Sequence, residues 1–305
     1  EPESGNPEDV TLAYSASGEA DNYVLRFSNA RFVELANLTL SATGTTHTRT
    51  LDVEGRMDDI LVEGCVFNSP PATGSDVAQA NIHLEPAMSE NVVFAGNSIS
   101  GGSYGILYRG STNTSNRAPG VEIRDNTVLG AGHTGILLQR TETALVSGNT
   151  VGAPGEAGPG SAGILLDNCD GALRVTGNRS LGAAGHAMRI ANCTATSGQP
   201  GLVANNFVAS NGTEATLNSY RNSQFLFYHN NVSNGGSGAG FHHENNLNAR
   251  VSNLRNNILR SETGYAIHVQ HTGSFQSSDH NDLYTAGTNL GRWGNTNAPT
   301  LSDWQ

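Results

Sequence analysis

One phrase recurs along this chain: a short apolar strand, then Asn, one further residue, an apolar residue and a Gly-rich turn. It reads VVFAGNSISGG at 92–102, VEIRDNTVLGAG at 121–132, ALVSGNTVG at 144–152 and LRVTGNRSLGAAG at 173–185. It continues as LVANNFVASNG at 202–212, QFLFYHNNVSNGG at 224–236, NLRNNILRSETG at 253–264 and SSDHNDLYTAG at 277–287. The Asn of the frame is read as Asn97, Asn126, Asn149, Asn178, Asn206, Asn230, Asn256 and Asn281, with Leu38 and Cys65 in its place in two earlier copies. Nine steps separate Leu38 from Asn281, a mean of 27 residues per step.

A second phrase falls between these copies, as NIHLEP (81–86), GILYRG (105–110), GILLQR (135–140), GILLDN (163–168), AMRIAN (187–192), GFHHEN (240–245) and AIHVQH (266–271). Each period thus holds about three strand-length segments parted by Gly- and Asn-rich bends. Alternation without a helical period excludes α-solenoids and βαβ folds, and the signature of WD-type propeller blades is missing. A period in the twenties with three strands per turn describes a coil whose successive turns stack ~4.8 Å apart. Equivalent residues then form columns. An inward Asn without partners would cost ~1–3 kcal/mol, whereas Asn amides in register can bond to one another up and down the stack.

These phrases resemble those of the right-handed parallel β-helix superfamily, the pectate-lyase-like solenoids, over roughly residues 22–290. The resemblance implies an all-β, single-stranded parallel β-helix of about ten coils with three short sheets. In that family the Asn phrase marks the bend between the second and third sheets, and the G-I-L phrase marks the first sheet. The expected organisation is a lead-in at 1–22, the β-helix at 23–290 and a tail at 291–305 crossing the last coil. That tail resembles those of long bacterial surface β-helix proteins, and the chain is expected to be an excerpt of a larger one. Insertions at 68–80, 111–119 and 152–161 are Pro/Gly/Ser/Thr-rich and read as loops.

Cys169 and Cys193 occupy the same frame position one coil apart. A disulfide between stacked positions and a simple column of reduced thiols both remain open. No Cys-x-x-Cys or His/Cys cluster suggests zinc. Asp279, Asn281 and Asp282 lack the spacing of a calcium loop, so no cofactor is expected.

The chain carries 16 basic and 27 acidic residues, every basic one an Arg. That balance argues against a nucleic-acid partner. No run of ~18 apolar residues suggests membrane insertion.

The family resemblance places substrate along the outer face of the first sheet. Alternation assigns Ile82, Leu84, Ile106, Tyr108, Ile136, Leu138, Ile164, Leu166, Met188, Ile190, Ile267 and Val269 inward. Outward stand His83/Glu85, Leu107/Arg109, Leu137/Gln139, Leu165/Asp167, Arg189, His242/Glu244 and His268/Gln270, with His271 beside them. His83, Glu85, Arg109, Gln139, Asp167, Gln270 and His271 are candidate substrate contacts.

Paired carboxylates for glycoside hydrolysis stand ~5–9.5 Å apart. Glu85 to Asp167, and Asp167 to Glu244, are each three coils, so hydrolysis is disfavoured. A lyase needs a base and a cation to neutralise the uronate. Many β-helix lyases use Lys for one role, and this chain has none. Arg189, His242, Glu244 and His268 are the candidate catalytic set, against the simpler reading of exposed histidines on a solvated face. A metal held by His242, Glu244 and His268 is disfavoured.

The sequence therefore favours an extracellular or cell-surface structural or adhesive module of a bacterial protein. Its expected partners are polysaccharide or other copies of itself stacked end to end. A polysaccharide lyase or related carbohydrate-active enzyme is the alternative. Leu107, Leu137 and Leu165 form an apolar stripe, either an interface or a surface covered by the insertion after Asn68 or Val151.

Overall fold

In the computed structural model, residues 3–114, 117–152, 160–244, 251–271, 273 and 275–304 are described. The chain winds as a parallel β-helix of about ten coils. The third sheet has 11 strands in sequence order, from Thr11–Tyr14 to Asp282–Thr285, each paired in parallel with its equivalent one coil on. The first sheet runs from Leu25–Ser28 through Tyr104–Arg109, Thr134–Gln139, Ala162–Asp167 and His186–Ala191 to Gly291–Trp293. In two early coils the strand pairing runs unbroken from it into the second, as Leu51–Glu63 and Ile82–Ala95, through left-handed residues at Gly55, Asp59 and Asn91 and a bulge between Gly55 and Arg56. Thr11–Tyr14 lies in the stretch expected as lead-in, and Gly291–Trp293 in the stretch expected as tail.

The inward rows are those that alternation assigns. Ile82, Ile106, Ile136, Ile164 and Met188 are fully buried in one column, with Leu84, Tyr108, Leu138, Leu166 and Ile190 in the next. His243 continues the inward side without a bulge; it is fully buried, stacks on Phe241 at 6.5 Å and bonds Ser219 Oγ at 3.2 Å.

The Asn column is continuous. Asn97, Asn126, Asn149, Asn178, Asn206, Asn230, Asn257 and Asn281 follow one another, each Nδ2 donating to the next Oδ1 at 2.9–3.0 Å. The same Oδ1 also accepts the backbone N–H of the rung before it at 2.9–3.1 Å. The Cys65 amide donates to Asn97 Oδ1, so Cys65 heads the column.

One rung differs from the sequence reading: Asn257, not Asn256, carries the ladder. In each coil the residue before the rung turns the corner with positive φ, as Gly96, Asp125, Gly148, Gly177, Asn205, His229 and His280 do. Asn256 has φ 57° and is exposed in that corner column. Asn tolerates the left-handed region almost as Gly does, so either of two adjacent Asn residues satisfies the pattern.

Cys169 and Cys193 are free, buried thiols, and the disulfide alternative is not realised. They serve as rungs of a second column at the bend after the first sheet. The Cys169 N–H donates to Cys193 Sγ at 3.4 Å, and the Cys193 N–H to Asn222 Oδ1 at 3.0 Å. Each thiol in turn donates to a carbonyl, Leu138 O and Ala191 O respectively. A sulfur that satisfies backbone groups on both sides plays the part of a carboxamide.

The two ends differ. Thr11–Tyr14 pairs on one side only and is exposed along its length, with Leu12 and Tyr14 at 40% and 43% exposure. At the other end, Thr296–Ala298 turns back antiparallel on Gly291–Trp293, and Trp304 lies over Gly291 and edge-on to Trp293. A Cβ at Gly291 would meet the Trp304 ring at 2.7 Å, so only glycine admits this cover.

Candidate functional site

Strand pairing places one residue per coil in a single outward row of the first sheet: Arg26, Asp52, His83, Leu107, Leu137, Leu165, Arg189, Asn218, His242, His268 and Arg292. Beside it run Glu54, Glu85, Arg109, Gln139, Asp167, Ala191, Tyr220 and Glu244. These two rows divide into three zones.

The first zone is a closed ionic network. Asp52, 2% exposed, is held by Arg26 at 2.7 Å, by His83 Nδ1 at 2.7 Å and by Arg49 at 3.5 Å. Arg49 also pairs with Glu19, and Glu85 takes Arg109 at 3.1 Å with His83 Nε2 at 3.7 Å. Burial opposes charge on Asp52, but the bonds from His83 and Arg26 and the Arg49 charge outweigh it and lower its pKa. The His83 bond, ahead of the opposing burial and the Arg109 bond, brings Glu85 down to about 2. Burial works against a charged His83, yet its two carboxylate partners raise its pKa above 6.5. His83, Glu85 and Arg109, expected as substrate contacts, are thus one another's partners. Sequence reasoning missed Arg26, Asp52 and Arg49, because the unbroken Leu51–Glu63 strand hides the first-sheet bend that would align Asp52 with His83.

The middle zone is apolar and covered. Leu107 is fully buried and Leu137 is 5% exposed, packed with Tyr104, Ala80, Val77 and Leu165. Val77 and Ala80 come from the insertion after Asn68, so that loop roofs the stripe. Most of the insertion after Val151 lies outside the described residues. Asp167 is occupied by three amides, from Gln139 at 2.7 Å, Asn192 at 2.8 Å and Asn168 at 2.9 Å.

The third zone brings Arg189, His242 and His268 together, as alternation anticipates, and adds Asn218 and Arg292. The His242 and His268 rings stack 4.3 Å apart and 8° from parallel. Tyr265 leans on His268 at 5.6 Å, while Arg189 and Arg221 stand over Tyr220 at 5.3 and 4.9 Å. Glu244 sits in the adjoining row beside Tyr220, Gln270 is exposed just past the Ile267–Val269 strand, and His271 is half-buried next to it. His186, which the sequence reading did not single out, donates its Nδ1–H to Ala215 O at 2.6 Å and has Nε2 3.8 Å from Glu214.

Burial, then the neighbouring His268, His243 and His186, pushes His242 down to about 3; burial and Arg292 push His268 to about 4. Both rings are therefore neutral near pH 7. Among the described residues, Asn218 Oδ1, His242 Nε2 and Arg292 Nε are buried without a hydrogen-bond partner. Such atoms cost ~1–3 kcal/mol each unless something supplies the missing bond.

The stacked histidines do not form a chelating pair. A bound metal lies in the plane of each imidazole along its nitrogen lone pair, and two parallel planes share no such point. No group of three or more His, Cys, Asp or Glu is placed to hold a metal among the described residues.

A family model described as "Periplasmic copper-binding protein (NosD)" matches residues 41–235. Among solved structures, the Azotobacter vinelandii mannuronan C-5 epimerase AlgE6 A-module is 11% identical over 95% of this chain and 89% of that one, with a TM-score of 0.43. The AlgE4 A-module of the same organism is 12% identical over 91% and 85%, with a TM-score of 0.40. No curated protein matches.

Proposed function

Since this chain belongs to the NosD family of periplasmic β-helix proteins, we propose that it is an exported polysaccharide-binding module whose ligand lies along the first sheet from Arg189 to Arg292. One observation carries the reading: within the stretch from Arg189 to Arg292, buried polar atoms of Asn218, His242 and Arg292 lack hydrogen-bond partners among the described residues, as only His83 Nε2, which faces Glu85 at 3.7 Å, does in the first zone of that row. Four coil steps separate the two arginines, roughly 19 Å, enough for a short extended stretch of glycan. The row from Arg189 to Arg292 contains two guanidiniums and no carboxylate. An acidic glycan is the class such a row would take, each carboxylate meeting an Arg in a charge-assisted bond.

Binding is favoured over lysis by the electrostatics. A general base works best with a pKa near the operating pH, and His242 and His268, at about 3 and 4, are weak bases near neutrality. Among the described residues, neither pairs with a carboxylate as His83 does with Asp52.

The name of the family points to copper, and the described donors do not fit that ion. The imidazoles of His242 and His268 stack instead of converging, the three thiols are sealed in the interior, and among the described residues no group of three or more His, Cys, Asp or Glu is placed to hold it. End-to-end stacking of copies has less behind it, because Trp304 covers the last coil.

Calorimetry with polymannuronate, polygalacturonate and a neutral glucan tests the proposal. Saturable, salt-sensitive binding of an acidic polymer, lost in the Arg189→Ala/Arg292→Ala double variant, is the expected result. Equal binding of the neutral glucan, or no binding of any polymer, would refute it. Growth of unsaturated-product absorbance would replace it with the lyase reading.

A further inference from the structure

The end of the molecule that the tryptophans cover holds a cavity of about 750 Å³, within the size range of small-ligand sites. Trp293 and Trp304 form one wall, their rings 5.3 Å apart at 82°. The Phe275–Asp279 strand forms another; it pairs with Val251–Arg255 on one side, and its other edge borders the cavity. Its backbone groups on that edge, with Gln276 and Thr296, offer both donors and acceptors.

Two carboxylates complete the lining, and both are anchored. Asp279 is held by Arg255 at 3.0 Å and His280 at 2.8 Å; Asp303 accepts from the Thr300 N–H at 2.9 Å and its hydroxyl at 2.6 Å. Fixed acceptors lose little freedom when they take a ligand hydroxyl. Among the described residues, no Arg or His lines the cavity. A carboxylate or sulfate on the ligand would therefore meet Asp303, whose partner Thr300 is neutral, and Asp279, whose cations Arg255 and His280 stand outside the lining.

An apolar indole wall facing acceptors, amides and hydroxyls suits a ring that has C–H faces and hydroxyl edges. From this arrangement we infer that the end cavity is a second binding site, specific for an uncharged sugar. It differs in kind from the Arg189–Arg292 row, which lacks carboxylates and aromatic walls of this type. The two sites take opposite classes of glycan, and the second stands whether or not the first binds anything.

The chain's two tryptophans are both in this wall, so intrinsic emission reports this end of the molecule directly. The test titrates the full chain with cellohexaose, maltohexaose and chitohexaose, and with a hexauronate as the charged counterpart. A saturable emission change is expected with at least one uncharged hexasaccharide and none with the hexauronate. Gln276→Ala and Thr296→Val should each weaken binding at least fivefold with circular dichroism and melting unchanged. The inference fails if none of the three uncharged sugars changes the emission, if both variants respond like the parent, or if the hexauronate produces the same change. Calorimetry of acidic polymers reads the Arg189–Arg292 row separately, so loss of one site is distinguishable from loss of the other.

Discussion

Two stretches of the same outward row carry similar residue types and opposite electrostatics. Near the start, Arg26, Asp52 and His83 alternate in sign along the row, and Glu85 and Arg109 of the adjoining row complete the pairing. Near the end, Arg189, Asn218, His242, His268 and Arg292 include no acid in their row, with Glu244 in the row beside it, and Asn218 Oδ1, His242 Nε2 and Arg292 Nε are buried without hydrogen-bond partners among the described residues. A histidine in the first stretch is held between two carboxylates; a histidine six coils later is a neutral ring stacked on its twin. The lesson is that a residue's chemistry on a β-helix face is set by what the adjacent coil places ~4.8 Å away. The first stretch contributes to holding coils together, and the second is the one proposed to meet a ligand.

The sharpest way to break this comparison is to remove a charge from each stretch. Asp52→Ala would leave Arg26, Arg49 and His83 sharing a buried site without their carboxylate. Breaking a buried, bonded ion group in this way costs about 3 kcal/mol or more. His242→Ala strands no counter-charge and should cost about 1 kcal/mol, the ordinary size of a single substitution. Urea unfolding followed by circular dichroism compares them; equal losses would erase the distinction between the stretches.

A binding measurement makes the next, smaller contrast. Arg292→Gln should weaken an acidic glycan about tenfold, the loss of one charge-assisted bond. Arg109→Gln should change it less than twofold, because the Arg109 guanidinium is already engaged with Glu85. Equal effects would mean that the ligand covers the whole face.

The coil was legible because its period is the fold: a repeat near 27 residues with in-register Asn has few other physical solutions. Inward and outward rows followed from alternation alone. Asn256 and Asn257 could not be told apart, since one column wants a left-handed corner and the next an inward amide, and Asn serves both. Sequence likewise brought Cys169 to Cys193 but not the choice between a covalent bond and two thiols that bond the backbone. The candidate site was half visible. His242, His268 and Arg189 stand where alternation puts them, while the pairing of Arg26 and Asp52 to His83 crosses 26 to 31 residues and a pair of strands whose pairing runs unbroken through the bend. Which histidine is paired and which is not is a tertiary fact.

That distinction is open to the finest test, the dependence of stability on pH. His83 has a folded pKa above its ordinary 6.5. The folded chain therefore holds that proton more tightly than the unfolded chain. Its stabilising contribution is complete below about 6.5 and is lost as pH rises through the raised value. His242 and His268 have folded values of about 3 and 4. Between those values and 6.5 the unfolded chain binds the extra protons, so their contribution is complete above 6.5 and fades as pH falls toward 4 and then 3. His83→Gln should accordingly flatten the alkaline limb of a melting-temperature profile and leave the acid limb alone, while His242→Gln or His268→Gln should do the reverse. Each pKa unit crossed corresponds to about 1.4 kcal/mol, or about 2 °C in a chain of this size. Profiles that change on the same limb in all three variants would show that the two stretches share one electrostatic environment, and the division of the row would not stand.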